Sequence, residues 1–217
     1  MTLPHGCPDD EPEWAPTALA VFDMDGTLLP GTTACRQIAL VAEDPLVVER
    51  LEGDYRDGLI DSTEFARRAL ASWAHAGPGL YRRAFDACPK IGGVERTLAW
   101  LRARSVVTCL ITMAPRPFAE CFTGFDHVFA SSYPDDILNP EDKPEVVRRL
   151  QRRLGIDGMR TIAFGDSDSD IPLFRALTRT VAVNATPNLA AMAARRYDGD
   201  DLWEALRTLY ALRERQP

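Results

Sequence analysis

The chain has 217 residues, 46% hydrophobic and 26% charged, which suits a soluble protein with one sizeable core, or a core and a small insert. Its net charge of -7 at pH 7 argues against nucleic acid as the main partner, because phosphate backbones are held by surplus Lys and Arg; a small anionic ligand stays open. No run reaches the roughly 18 apolar residues that span a bilayer, so no membrane association is expected.

Residues 1–16 (MTLPHGCPDDEPEWAP) are rich in proline and acid and lack both a basic start and an apolar stretch. They read as a flexible tail, not a signal peptide, with Trp14 as the one residue suited to dock on a core. Ala18 to Phe22 is the first apolar run that reads as a buried strand, and it ends in Asp23-Met24-Asp25-Gly26-Thr27. From Pro30 to Pro89 there is no strand pattern, only helical pieces. Asp44-Pro45 reads as one helix start, and Asp61 or Ser62 as the cap of another. Val94, Leu98 and Leu101 then recur at helical spacing, followed by strand-like runs at Val106 to Thr112 and His127 to Ala130. Val146, Leu150 and Leu154 mark a further helix with Gly155 as its stop. Strand-like runs at Thr161 to Phe164 and Val181 to Val183 precede a closing helix marked by Leu202, Leu206 and Leu209.

Strands alternating with helices imply an α/β fold, a three-layer Rossmann-like parallel sheet. Residues 17–30 and 90–217 would form the core, and residues 31–89 a helical cap inserted after the first strand. Open parallel sheets bind ligands beyond the carboxyl ends of their strands. An insert leaving from such an end sits over the site.

Cys7, Cys35, Cys88, Cys109 and Cys121 are scattered, odd in number and without a C-x-x-C, so they read as free thiols of a cytoplasmic protein. The carboxylates are more telling. Asp23 and Asp25 follow the first strand, and Gly165-Asp166-Ser167-Asp168-Ser169-Asp170 follows the fourth strand-like run. In one parallel sheet these loops open on the same edge. Carboxylates gathered there repel one another unless a cation binds or protons are shared, and oxygen-only donors suit Mg²⁺. Thr112 closes another run, followed by Met113 in a loop whose N–H groups would face an anion; Lys143 begins a helix with Pro144 in its first turn. Nucleophilic carboxylate, Mg²⁺, hydroxyl and lysine together point to phosphoryl transfer.

Asp-Met-Asp-Gly-Thr (23–27), Thr112, Lys143 and Gly-Asp-Ser-x-Ser-Asp (165–170) resemble, in order, the four motifs of the haloacid dehalogenase superfamily, in its phosphoserine-phosphatase-like branch. The resemblance implies a phosphatase acting on a small phosphorylated metabolite through an aspartyl-phosphate. Asp23 would be the nucleophile and Asp25 the acid, then the base. Mg²⁺ would be held by the side chains of Asp23 and Asp166 and the main-chain carbonyl of Asp25, with Asp170 holding a metal-bound water or the lysine. Thr112, Met113 and Lys143 would surround the phosphoryl oxygens. An aspartate at position 25 favours an ordinary phosphate monoester, whose alkoxide needs a proton.

Each motif alone has a blander reading, such as an acidic turn, a strand-ending threonine or a surface lysine. Asp166, Asp168 and Asp170 mimic a calcium loop, but Ile171 and Leu177 stand where that loop needs glycine and glutamate, and Asp168 reads as a solvated loop residue. The run Arg148 to Arg153 reads as a solvated helix face, and Trp73 and His75 as a packed ring and a surface imidazole. Phosphoserine phosphatases hold the amino-acid end of substrate with a glutamate and a cap arginine. The ungapped glutamate position is Thr32, and their Ser-Gly-Gly is here Thr112-Met113-Ala114, which argues against phosphoserine itself. Arg36, Tyr55, Arg67 and Arg68 are the candidates for reading the leaving group. The alternatives are a phosphomutase on a sugar phosphate and a non-catalytic phospho-ligand-binding or signalling module on the same scaffold.

Overall fold

Alternation along the first strand, β1 (Ala18–Phe22), sets the layers: Leu19 and Val21 pack on one face of the sheet and Ala20 and Phe22 on the other, all four wholly buried. The computed structural model describes residues 16–209, so nearly all of the expected tail, with Trp14 and Cys7, lies outside the described residues. After β1 come four helices, α1 (Ala34–Val41), α2 (Pro45–Arg56), α3 (Ser62–Trp73) and α4 (Leu80–Ala87). The chain continues through α5 (Val94–Arg102), β2 (Val106–Pro115), α6 (Arg116–Ala119) and β3 (His127–Ser131). Then follow α7 (Lys143–Leu154), β4 (Thr161–Gly165), α8 (Ile171–Ala176), β5 (Arg179–Val183), α9 (Pro187–Met192), β6 (Arg195–Tyr197) and α10 (Leu202–Arg207). None of these helices is long and apolar enough to cross a membrane.

The strands form one parallel sheet in the order β3-β2-β1-β4-β5-β6. The order reverses at β1, so the loops after β1 and β4 lie side by side, with Phe22 and Phe164 in register. One face is covered by α7, α8 and α9 through Val146, Val147, Leu150, Leu173, Phe174 and Leu189. The opposite core joins sheet residues to α5, α10 and the inserted helices, where Trp73 is buried and His75 exposed.

Local chemistry accounts for several element ends. Thr33 caps α1 by accepting from the Arg36 N–H, and Asp61 caps α3 by accepting from the Glu64 N–H. Asp44 precedes α2 with Pro45 at its first position but makes no side-chain cap bond. Gly155 ends α7 in the left-handed conformation. One expectation needs correction, and one strand was not anticipated. β2 runs past Thr112 to Pro115, with its register against β3 shifting between those residues, so the expected loop is a bulge at the strand end. β6 carries no apolar run; Arg195-Arg196-Tyr197 is an edge strand held by β5.

The rings of Phe22 and Phe164 stack with centroids 4.6 Å apart and planes 4° from parallel, joining β1 to β4 beneath the strand ends. Phe164→Ala is expected to lower the unfolding free energy by about 3–5 kcal/mol, read from urea denaturation against the parent protein.

Candidate active site

Asp23 is the first residue beyond β1, and its N–H donates to the Phe164 carbonyl at 3.0 Å, which fixes it against the end of β4. Gly26, at φ +80°, turns the chain so closely over the neighbouring loop that a Cβ there would run into the Asp166 carboxylate. Gly165 makes the matching approach on the other side, where a Cβ would meet the Asp170 carboxylate.

Lys143 sits at the start of α7 with 1% of its surface exposed. Its Nζ donates to Asp23 Oδ1 and Asp170 Oδ1, each at 2.7 Å. Burial alone would drive off its proton, but Asp170 and Asp23 outweigh it and hold the ammonium charged well above the ordinary lysine range. Asp170 Oδ2 accepts from the N–H groups of Asp166, at 3.1 Å, and Ser167, at 3.5 Å, so this aspartate braces the loop after β4 while holding the lysine. Thr27 donates its hydroxyl to Asp166 Oδ1 at 3.5 Å.

Carboxylate oxygens of Asp23, Asp166 and Asp170 lie within 4.8 Å of one another. Burial, followed by the charge of Asp170, pushes Asp23 well up, and the same two causes push Asp166 to about 8. Proton retention by crowded acids is the signature of a site short of positive charge, and one lysine does not balance three carboxylates. An all-oxygen donor set with that deficit fits a small divalent cation.

Asp25 lies beside this trio but is held differently. Its Oδ1 accepts the Ala34 N–H at 2.8 Å, at the first turn of α1, so the inserted helices orient it. Burial raises it to about 7, opposed by the Ala34 bond and assisted by Glu52 on α2. Two aspartates two residues apart thus occupy different environments: one charge-paired with lysine, the other poised to exchange a proton near neutrality.

A cleft of about 610 Å³ opens between these loops and the inserted helices. Asp25 and Asp166 line it, as do Met113, Arg36 and Tyr55. Thr112 is buried and does not line it; its hydroxyl accepts the Ala114 N–H at 3.1 Å. Arg67 and Arg68 do not line the cleft; both are exposed and bind Glu64 on their own helix. Asp168 is exposed, as expected of a loop, and also accepts from Thr186 and Asn188 near the start of α9.

Sequence reasoning missed Glu52, which accepts the Thr33 hydroxyl at 2.7 Å and pairs with Arg36. It also missed Arg56, Phe65 and Tyr133 in the cleft wall. Glu52, Tyr55 and Arg56 have the i, i+3, i+4 spacing of one helix face, so Tyr55 already pointed to its neighbours.

The family model described as haloacid dehalogenase-like hydrolase matches residues 20–175. A phosphoserine phosphatase of Methanocaldococcus jannaschii is 23% identical over 204 residues, spanning 87% of this chain and 96% of its own length. A phosphoserine phosphatase of Idiomarina loihiensis is 25% identical over 204 residues, spanning 88% and 92% respectively. A solved phospho-aspartyl intermediate analogue of phosphoserine phosphatase superposes with a TM-score of 0.73 at 21% identity, over 89% of this chain and 99% of that one.

Asp25 and Asp166 both hold protons above the unfolded carboxylate value of 3.8, so the metal-free native state binds more protons than the unfolded chain. Their contribution is therefore full below about 3.8, falls as pH rises from there, and is lost once pH passes about 7 and 8. In EDTA, the melting temperature is expected to fall across that window. Added Mg²⁺ should raise it most at the alkaline end, where the carboxylates are free to bind. A Mg²⁺-induced shift that is flat with pH would contradict this account.

Proposed function

The chain belongs to the haloacid dehalogenase-like hydrolase family, and from that premise we propose that it is a Mg²⁺-dependent phosphatase hydrolysing a small phosphate monoester through an aspartyl-phosphate. The observation that carries the reading is the meeting of Asp23, Lys143, Asp166 and Asp170 at the β1/β4 edge, with the protonatable Asp25 beside them. Residues 31–89 act as the cap, placing α1–α3 over that edge.

Lys143 engages Asp23 Oδ1, and among the described residues no hydrogen bond reaches Oδ2. That oxygen is the one free to attack phosphorus. As the Asp23 oxygen–phosphorus bond forms and the ester bond breaks, Asp25 gives its proton to the departing alkoxide. Asp25, now ionised, takes a proton from water; the water oxygen attacks phosphorus, and the Asp23 carboxylate leaves as phosphate forms. Lys143, already bonded to Asp23, and Thr112 would supply the positive charge and the hydroxyl needed beside the phosphoryl oxygens. The side chains of Asp23 and Asp166 with the Asp25 carbonyl would hold Mg²⁺, whose charge offsets that of the phosphoryl group.

Asp23→Asn should fold and release no phosphate from any ester. Asp25→Asn should lose about 10²–10⁴-fold in kcat/KM on alkyl phosphates and far less on nitrophenyl phosphate, whose leaving group needs no proton. Equal losses on the two substrate types would remove Asp25 from its role. EDTA should abolish turnover and Mg²⁺ restore it. Isomerised sugar phosphate in place of free phosphate would replace hydrolysis by a mutase reaction.

A further inference from the structure

Two aromatic rings of the inserted helices stand in the cleft wall. Tyr55 on α2 and Phe65 on α3 meet edge to face, with ring centroids 6.0 Å apart. Tyr133, in the loop after β3, adds a third ring, and Met113 and Ile137 add apolar surface. All five are only partly buried, in contrast to the core rings of Phe22 and Phe164. Apolar surface is thus left free inside a concave site, where a ligand that covers it removes it from water. The cleft of about 610 Å³ is also generous: a phosphoryl group with a two- or three-carbon alcohol would leave much of it to solvent.

The charges on the same wall do not suit a free amino acid. Glu52, 14% exposed at its side chain, is occupied by Arg36 and by the Thr33 hydroxyl. An ammonium group entering there would compete with the guanidinium and the hydroxyl for that carboxylate. Arg56, exposed on the same helix, offers a cation but no anion.

We propose that the leaving group is an alcohol carrying a flat, ring-bearing body, seated against Tyr55 and Phe65, and that such phosphate monoesters are the preferred substrates. The inference rests on the phosphatase reading above. It assigns Tyr55 and Phe65 to substrate choice, with Asp23 and Asp25 left to the chemistry.

Benzyl phosphate and ethyl phosphate test it, because both release a primary alcohol and differ in the ring; O-phosphoserine is the third substrate. With Mg²⁺, benzyl phosphate should exceed the other two in kcat/KM by roughly tenfold or more. Phe65→Ala and Tyr55→Ala should each cut that preference roughly fivefold, mainly through KM. Phe65→Leu, which keeps an apolar side chain in place, should cut it as well and guards against misfolding of the alanine variant. Calorimetric titration of Asp23→Asn protein should show the same ranking in affinity without turnover. Equal efficiencies for benzyl and ethyl phosphate, or a preference for phosphoserine, would overturn the inference and leave the phosphatase reading intact. No hydrolysis of any of the three with Mg²⁺ would remove both.

Discussion

A buried ammonium between two buried carboxylates is the constraint on which the rest of the site depends. Lys143, Asp23 and Asp170 come from the start of α7, the end of β1 and the loop after β4, positions 120 and 27 residues from the lysine. None of the three charges is tolerable alone at that depth, since an unpaired buried ion costs several kcal/mol. Their mutual attraction therefore fixes three loops relative to one another. The lysine leaves an excess of negative charge that the protein does not cancel itself, and that excess is what draws a divalent cation.

Sheet topology brings the partners together. With β1 between β2 and β4, the loops after β1 and β4 are neighbours by construction, and their glycines let them approach to carboxylate contact. The inserted helices then cover the same edge. In this way one short stretch supplies two carboxylates with unlike surroundings: Asp23 faces lysine and the acids of the loop after β4, and Asp25 faces the first turn of α1.

The strands were readable because a doubly covered parallel sheet buries both faces of each strand. Runs such as Ala18 to Phe22 and Thr161 to Phe164 are then continuously apolar and stand out. β6 was invisible for the opposite reason: an edge strand of arginine and tyrosine has no apolar run to detect. The carboxylates and the lysine were legible because each follows a strand or starts a helix. The cleft wall was legible only in part: Arg36, Tyr55 and Met113 line it, but the rest depends on how the inserted helices sit, which helical spacing does not encode. Arg67 illustrates the limit. At about 100° per residue it points roughly 200° away from Phe65 on the same helix, and of these two Phe65 alone reaches the cleft. Glu52 was missed because its significance lies in Arg36 and Thr33, which the fold supplies.

The hydrogen bond from the Ala34 N–H to Asp25 ties the two halves of the fold in a way that limits how freely they are exchanged. The seat of a core residue is completed by the opening peptide of a foreign layer. A chimera that grafts another insert onto this sheet must therefore present an amide at the same point, or residue 25 loses the donor that aims it. Inheritance of that carboxylate's aim travels with the insert, even though the residue itself follows a strand of the sheet.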